Sequence, residues 1–327
     1  MKKHKLVVLT DRQQWSFSSL PYFLPIVSQY FDFEPYRTDK YYDPSTVFLI
    51  MGSVYDAGLA RRFENYRVIV DLCIEGFFGE WGEVYNIKWP GHCVLYGSYV
   101  QNPPDNLISV PNFIRYTKTL LNISKGYHTH TPNRNYTKKF LMPIGAKRKW
   151  RDQVVKRLDP YLGDAYWSYV RRGTVLPGEP LVQKRYDIWD QTPMWYNDTC
   201  FSVVIESFNG QRLNAETPVF LTEKIYKPIS GCQPFMVVGG AGILTYLKSQ
   251  GFETFDNLFD ETYDTETDLE KKLDIIACNI ENYVKQPYDA VTLAKIQHNF
   301  ELFYNLDVTT KGIVTDLVEP IVKFIEQ

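Results

Sequence analysis

Short apolar runs recur along the first third of the chain, with stretches of helical periodicity between them. Lys5–Leu9, Thr46–Met51 and Arg67–Leu72 read as strands, while Ser19–Tyr30 and Asp56–Glu64 read as helices. Further strands are expected at His92–Tyr96 and Leu107–Pro111, with a turn at Gln101–Asp105 between them. Strands that alternate with helices at this spacing predict a parallel, doubly wound sheet. The polar stretch from Tyr127 to Tyr136 then offers little to bury, and it reads as a boundary between two units.

A second α/β pattern follows. Lys139–Ile144 reads as a strand, Gly145 to Lys149 as a loop and Trp150–Leu158 as a helix. The run Phe201–Ile205 is a second strand, ending at Glu206 and Ser207. A helix opening at Thr222, a strand at Phe235–Val238, a helix from Ala241 to Gln250 and a helical tail from Asp268 complete the pattern. The expected organisation is α/β: a first domain over residues 1–130, a linker over 131–137 and a second domain over 138–327.

The most informative segment is Phe220-Leu-Thr-Glu-Lys-Ile-Tyr-Lys-Pro-Ile229, followed by Ser230-Gly-Cys-Gln-Pro-Phe-Met-Val-Val-Gly239. A threonine N-cap opens a helix carrying a carboxylate and an ammonium side by side, and a glycine break leads into a short apolar strand. Nucleotides sit at such places in open α/β sheets, because unpaired N–H groups and the helix dipole favour phosphate. Glu223 suits the two hydroxyls of a ribose and Lys224 a diphosphate; the plain alternative is a surface Glu-Lys pair. Arg148, Lys149 and Arg151 lie between a strand and a helix start, where a guanidinium can fork onto phosphate.

Composition narrows the classes. The chain has 327 residues, 44% hydrophobic and 16% aromatic, enough for one large core or two medium ones. Its five cysteines are scattered without a Cys-x-x-Cys pair, which argues against a structural zinc or a disulfide framework and for a reducing compartment. No targeting segment and no apolar run of membrane-spanning length is seen, so a cytoplasmic protein is expected. Residues 138–190 hold twelve Lys/Arg against six Asp/Glu, and residues 191–327 hold ten against twenty. A basic middle beside an acidic end suits a local anionic ligand better than a nucleic-acid coat. There is no P-loop, and Gly239-Gly-Ala-Gly242 is too weak a match to be a dinucleotide fingerprint. The acidic run Asp260–Asp268 suits a capping loop better than a cation site.

Taken together, the Thr222-Glu-Lys224 start, the helix after it and the Pro234–Gly239 strand resemble the donor-site signature of the α1,3-fucosyltransferase-type glycosyltransferases. They resemble still more closely the relatives of that family found in phages and large viruses. Val203-Val-Ile-Glu-Ser207 is similar to the family's Phe-Glu-Asn-Ser strand end, with Glu206 and Ser207 matching and the asparagine absent. The resemblance implies GT-B architecture, two Rossmann-like domains facing across a cleft. It implies inverting transfer of a sugar from a nucleotide-diphosphate donor to an acceptor hydroxyl, with Glu223 on the ribose and Lys224 and Arg151 on the diphosphate. The nucleotide sugar is then a co-substrate, no cofactor is required and a divalent cation is not indicated. A viral chain would act in the host cytoplasm, on a glycan or on a hydroxylated base of phage DNA.

An inverting transfer needs a carboxylate to deprotonate the acceptor while fixed positive charge stabilises the leaving diphosphate. Asp71 and Glu75 stand at the end of the Arg67–Leu72 strand; Glu75, followed by Gly76, is the favoured base, and backbone capping is the alternative role for both. Phe77, Phe78, Trp81, Tyr85 and Trp89 nearby suit stacking on sugars or packing. A non-catalytic sugar-nucleotide-binding protein is the competing class, and turnover separates the two.

Overall fold

The computed structural model describes residues 3–9, 21–51, 57–73, 91–97, 105–124, 136–145, 147–170, 173–176, 191–207, 219 and 221–327. These form two compact units: Met1–Gly126 with Leu306–Gln327, and Tyr127–Asn305.

The first unit is built from β1 (His4–Leu9), α1 (Leu24–Val27), β2 (Phe31–Pro35), β3 (Val47–Met51), α2 (Ala57–Arg62), β4 (Arg67–Leu72), β5 (His92–Tyr96), β6 (Leu107–Ser109) and α3 (Phe113–Ser124). Its strands form one parallel sheet in the order β2-β1-β3-β4-β5-β6. Both faces are covered, as parallel sheets require. Leu6, Leu49, Ile69 and Leu95 face one core with Phe23 and Phe113. Val7, Phe48, Ile50, Val68, Val70 and Val94 face the other with Phe63. This period of two is the pleat read out as burial.

The second unit contains β7 (Lys138–Ile144), α4 (Lys149–Leu158), β8 (Ala165–Tyr169), α5 (Pro193–Asn197), β9 (Thr199–Ile205), α6 (Glu223–Ser230), β10 (Phe235–Val238), α7 (Ile243–Ser249), α8 (Leu269–Asn282) and α9 (Ala290–Tyr304). Its parallel sheet runs β10-β9-β7-β8. From β7 the chain goes to β8 on one side, then returns to β9 on the other. The β7/β9 seam is therefore the topological switch point, the crevice where open α/β sheets bind ligands.

The tail departs from the expected organisation. Residues 306–327 were expected with the second domain, yet α10 (Leu306–Ile313), a π-helical turn at Val314–Val318 and α11 (Glu319–Glu326) belong to the first unit. Ile313, Leu317, Val318 and Ile321 bury their apolar stripe against Phe113, Tyr116 and Leu120. Gly312 permits the approach, since a Cβ there would lie 2.3 Å from the Tyr116 Oη. The Tyr116 hydroxyl donates to Asp316 Oδ2 at 2.5 Å.

Two strands and two helices were not foreseen. β2 and β8 are edge strands, α3 fills the stretch after β6, and α5 precedes β9. Of the helix expected over residues 19–30, the described residues 21–30 hold only Leu24–Val27, with Pro25 in its first turn. The expected linker lies mostly outside the described residues, as do Glu75 and the aromatic residues 77–89. Among the described residues no helix is long and apolar enough to cross a membrane.

Candidate functional site

The switch point of the second unit gathers the residues singled out in its sequence. Arg148 is the N-cap of α4 in extended conformation, and Arg151 lies in the helix's first turn, directly after β7. Glu206 and Ser207 directly follow β9, one strand across the seam. Arg151 closes the gap: its Nη2 donates to the Glu206 carbonyl oxygen at 2.8 Å. Arg151 is 2% exposed. Burial, followed by the charge of Arg148, brings its pKa down to about 10, with Glu206, Tyr169 and Glu223 acting the other way. It stays cationic at neutral pH. Two guanidinium groups at a helix N-terminus concentrate positive charge where the helix also favours an anion.

Glu206 turns inward. Its carboxylate is fully buried, with Oε1 accepting from the Thr222 N–H at 3.2 Å and Oε2 from the Thr222 hydroxyl at 2.6 Å and the Ser207 N–H at 3.1 Å. Burial pushes this carboxyl up, against the downward pull of Lys224 and the Thr222 hydroxyl. Glu206 therefore ties β9 to the start of α6. Sequence alone did not reveal the inward orientation, because every residue of β9 is buried and parity does not distinguish its faces.

Thr222 caps α6, its Oγ1 accepting from the Lys224 N–H. The Lys224 ammonium donates to Glu223 Oε1 at 2.8 Å and to Ser207 Oγ and Thr222 Oγ1 at 3.1 Å each. Both members of the pair are largely enclosed, with Glu223 and Lys224 side chains 14% and 27% exposed. This is no freely solvated surface pair. Burial alone would raise the Glu223 carboxyl, but Lys224 and Lys227 outweigh it and hold it below the usual carboxylate range. The result is an ionised carboxylate beside an ammonium at a helix N-terminus, joined through Ser207 and Thr222 to Glu206 and through Glu206 to Arg151.

Three supporting features went unread in the sequence. The Tyr169 hydroxyl donates to Asp152 Oδ1 at 2.8 Å and accepts from the Arg148 N–H at 3.3 Å, which fixes the β7–α4 turn. Gly239, at the end of β10, touches the site directly: a Cβ there would lie 3.2 Å from the Glu206 Cβ and 2.6 Å from Ile243 Cδ1. Lys272 of α8 is 3% exposed and reaches the same turn. Its signal was a lysine at the i+3 position of the Leu269, Leu273, Ile276 stripe, where an apolar side chain is expected.

The acidic run 260–268 is used in caps. Asp264 accepts from Leu244 N at 2.8 Å and Thr245 N at 3.0 Å in α7, and Asp268 caps α8 through Lys271 N at 3.1 Å. In the first unit, Asp71 is buried at the end of β4 and accepts from the Cys73 N–H at 3.0 Å, a turn-supporting contact. Burial, reinforced by Asp71, pushes the Cys73 thiol well above its ordinary value.

No family model and no curated protein matches the chain. Solved structures do. A crystal structure of an α1,3-fucosyltransferase with GDP superposes with a TM-score of 0.50 at 10% identity, over 99% of this chain and 90% of that one. Two others, an α1,3-fucosyltransferase and an α1,3-fucosyltransferase with GDP-fucose, give TM-scores of 0.47 and 0.43 at 9% and 10% identity, over 98% and 93% of this chain and 92% and 90% of theirs. At the first of these values the likeness is one of fold, and the fold of this chain is α/β of the GT-B class.

Proposed function

We propose that this chain is an inverting, nucleotide-sugar-dependent glycosyltransferase whose donor diphosphate binds at the β7/β9 switch point. The observation that carries the reading is the junction itself: Arg151 and Glu206 meet across the seam, and Glu206 holds the cap of the helix bearing Glu223 and Lys224. Arg148, Arg151 and Lys224 supply the fixed positive charge that a departing diphosphate needs, so the reading requires no metal. Glu223, ionised beside Lys224, accepts the ribose hydroxyls. Glu206 acts behind these groups as the residue that positions them, and Ser207 offers its hydroxyl beside the ammonium. That an α1,3-fucosyltransferase of the same fold was crystallised with GDP supports a nucleoside diphosphate as the common part of the donor.

Glu75 is the proposed general base, on its sequence position after the β4 strand. Asp71, engaged with the Cys73 amide, is the structural member of the pair. The acceptor is a hydroxyl of a glycan. The near-balanced charge of residues 1–137 favours this over a hydroxylated DNA base, because phosphate contacts need clustered Lys and Arg.

The test is calorimetric titration with nucleoside diphosphates and their sugar conjugates, alongside thermal melting. A ligand at a hundred times its Kd stabilises the native state by about 2.7 kcal/mol. Lys224→Ala and Glu223→Ala should each lower affinity by about 1.5–3 kcal/mol while remaining folded, since each removes a charge-assisted contact. Unchanged affinity in both variants refutes the assignment.

A further inference from the structure

We infer that Lys272 is a positioning residue for this donor site, holding the Gly239–Gly240 turn against Glu206 from beneath. The inference rests on the donor reading above and adds a residue from α8 that touches neither ligand nor cap.

Lys272 Nζ donates to the carbonyl oxygens of two successive residues, Gly239 at 3.1 Å and Gly240 at 3.4 Å. Because each peptide is planar, fixing two successive carbonyls fixes two successive peptide planes, and the whole turn after β10 is set by one ammonium group. The turn has no side chains of its own with which to hold a conformation. It also has no room to slide, since Gly239 abuts the Glu206 Cβ and Ile243. The Glu206 N–H donates to the Val238 carbonyl at 2.9 Å, so a shift of the turn is passed to the residue that holds Thr222 and, through it, Lys224. A methionine or leucine at this place on the α8 stripe would satisfy packing; it would leave both carbonyls without their donor.

The charged groups acting on the ammonium are Asp264, which ends the 3-10 turn Glu261–Asp264 and caps α7, and Glu266. They favour the protonated form, but burial outweighs them and brings Lys272 down to about 8. The hold on the turn therefore weakens as pH rises through that value. Arg151, at about 10, keeps its charge over the same interval.

The experiment is calorimetric titration with GDP, or with whichever common nucleoside diphosphate binds the wild type. It is run between about pH 7 and pH 9 on wild type, Lys272→Met and Lys272→Arg, with melting curves for each. The wild-type Kd should weaken by about tenfold across the interval, in the ordinary range of coupling between sites. Lys272→Met should bind about tenfold more weakly at pH 7 and show no step near pH 8. Lys272→Arg should restore affinity and keep it up to pH 9, because a guanidinium stays charged. Should Lys272→Met fail to fold, the step in wild type and its absence in Lys272→Arg still decide the matter. A lowered melting temperature with wild-type Kd and pH profile makes Lys272 merely structural and overturns the inference alone. No binding of any nucleoside diphosphate by the wild type overturns the donor reading together with it.

Discussion

Two adjacent glycines give the sharpest test of how the site is packed. Gly239→Ala places a methyl group 2.6 Å from Ile243 Cδ1 and 3.2 Å from the Glu206 Cβ, whereas at Gly240 the same methyl meets nothing within 4 Å. Ile243 Cδ1 is the far end of a flexible side chain, so its retreat costs an off-rotamer adjustment of about 0.5–1.5 kcal/mol. Glu206 has less freedom, because Thr222, Ser207 and Arg151 all hold it. Forcing it aside adds to an overpacking cost of about 1–3 kcal/mol. Against this stands the lower entropy of the unfolded chain, about 0.4–1 kcal/mol for either substitution. The net expectation is a loss of about 1–2 kcal/mol for Gly239→Ala, or about 1.5–3 °C in Tm for a chain of 327 residues. Gly240→Ala should be neutral or stabilising by up to about 1 kcal/mol. Urea unfolding followed by tryptophan fluorescence measures both, and nucleotide titration should find weakened binding only in Gly239→Ala. Equal stability of the two variants refutes the claim that the turn is wedged against Glu206.

Three further outcomes follow from the same contacts. Arg151→Lys keeps a charge but not the fork that reaches the Glu206 carbonyl, so calorimetry should show nucleoside diphosphate affinity reduced by about tenfold or more; wild-type affinity would reduce Arg151 to a generic cation. Lys272 has a folded value of about 8 against 10.5 for the unfolded chain, so the unfolded state binds more protons between them and stability rises with pH there. Wild type should accordingly gain about 2 kcal/mol over Lys272→Met between pH 7 and pH 9.5 in urea melts, and a constant difference contradicts it. Glu75→Gln cannot take a proton, so sugar transfer should fall by roughly 10²–10⁴-fold with nucleotide affinity retained, and normal turnover would exclude Glu75 as the base.

What could be read from the sequence, and what could not, follows from which forces act locally. Strands such as β4 and β9 are buried on both faces, and their unbroken apolar runs announce them. The strands β2 and β8 mix aromatic and polar residues and are only partly buried, so their pattern fades, whereas the apolar edge strand β10 was read. The α10–α11 stripe showed that the tail was helical and amphipathic, but periodicity says only that a face is buried, not which core receives it. At the site, Thr222, Glu223 and Lys224 were legible because capping is a short-range rule. The inward turn of Glu206, the Arg151 bridge and Lys272 were not, since each depends on contacts between residues 16 to 55 positions apart.

The return of the tail to the first unit bears on the order in which the protein is completed during synthesis. Domains emerge from the ribosome N-terminus first and generally fold as units in that order. Here the second unit is continuous and can close as soon as residue 305 has appeared, while the first still lacks Ile313, Leu317, Val318 and Ile321. About 200 residues separate α3 from the segment that covers it, so at 5–20 residues per second Phe113, Tyr116 and Leu120 wait roughly 10–40 s for their partners. The nascent first unit is thus the aggregation-prone species. Truncations ahead of residue 306 should cost soluble yield through the N-terminal part of the first unit, far in sequence from the residues removed.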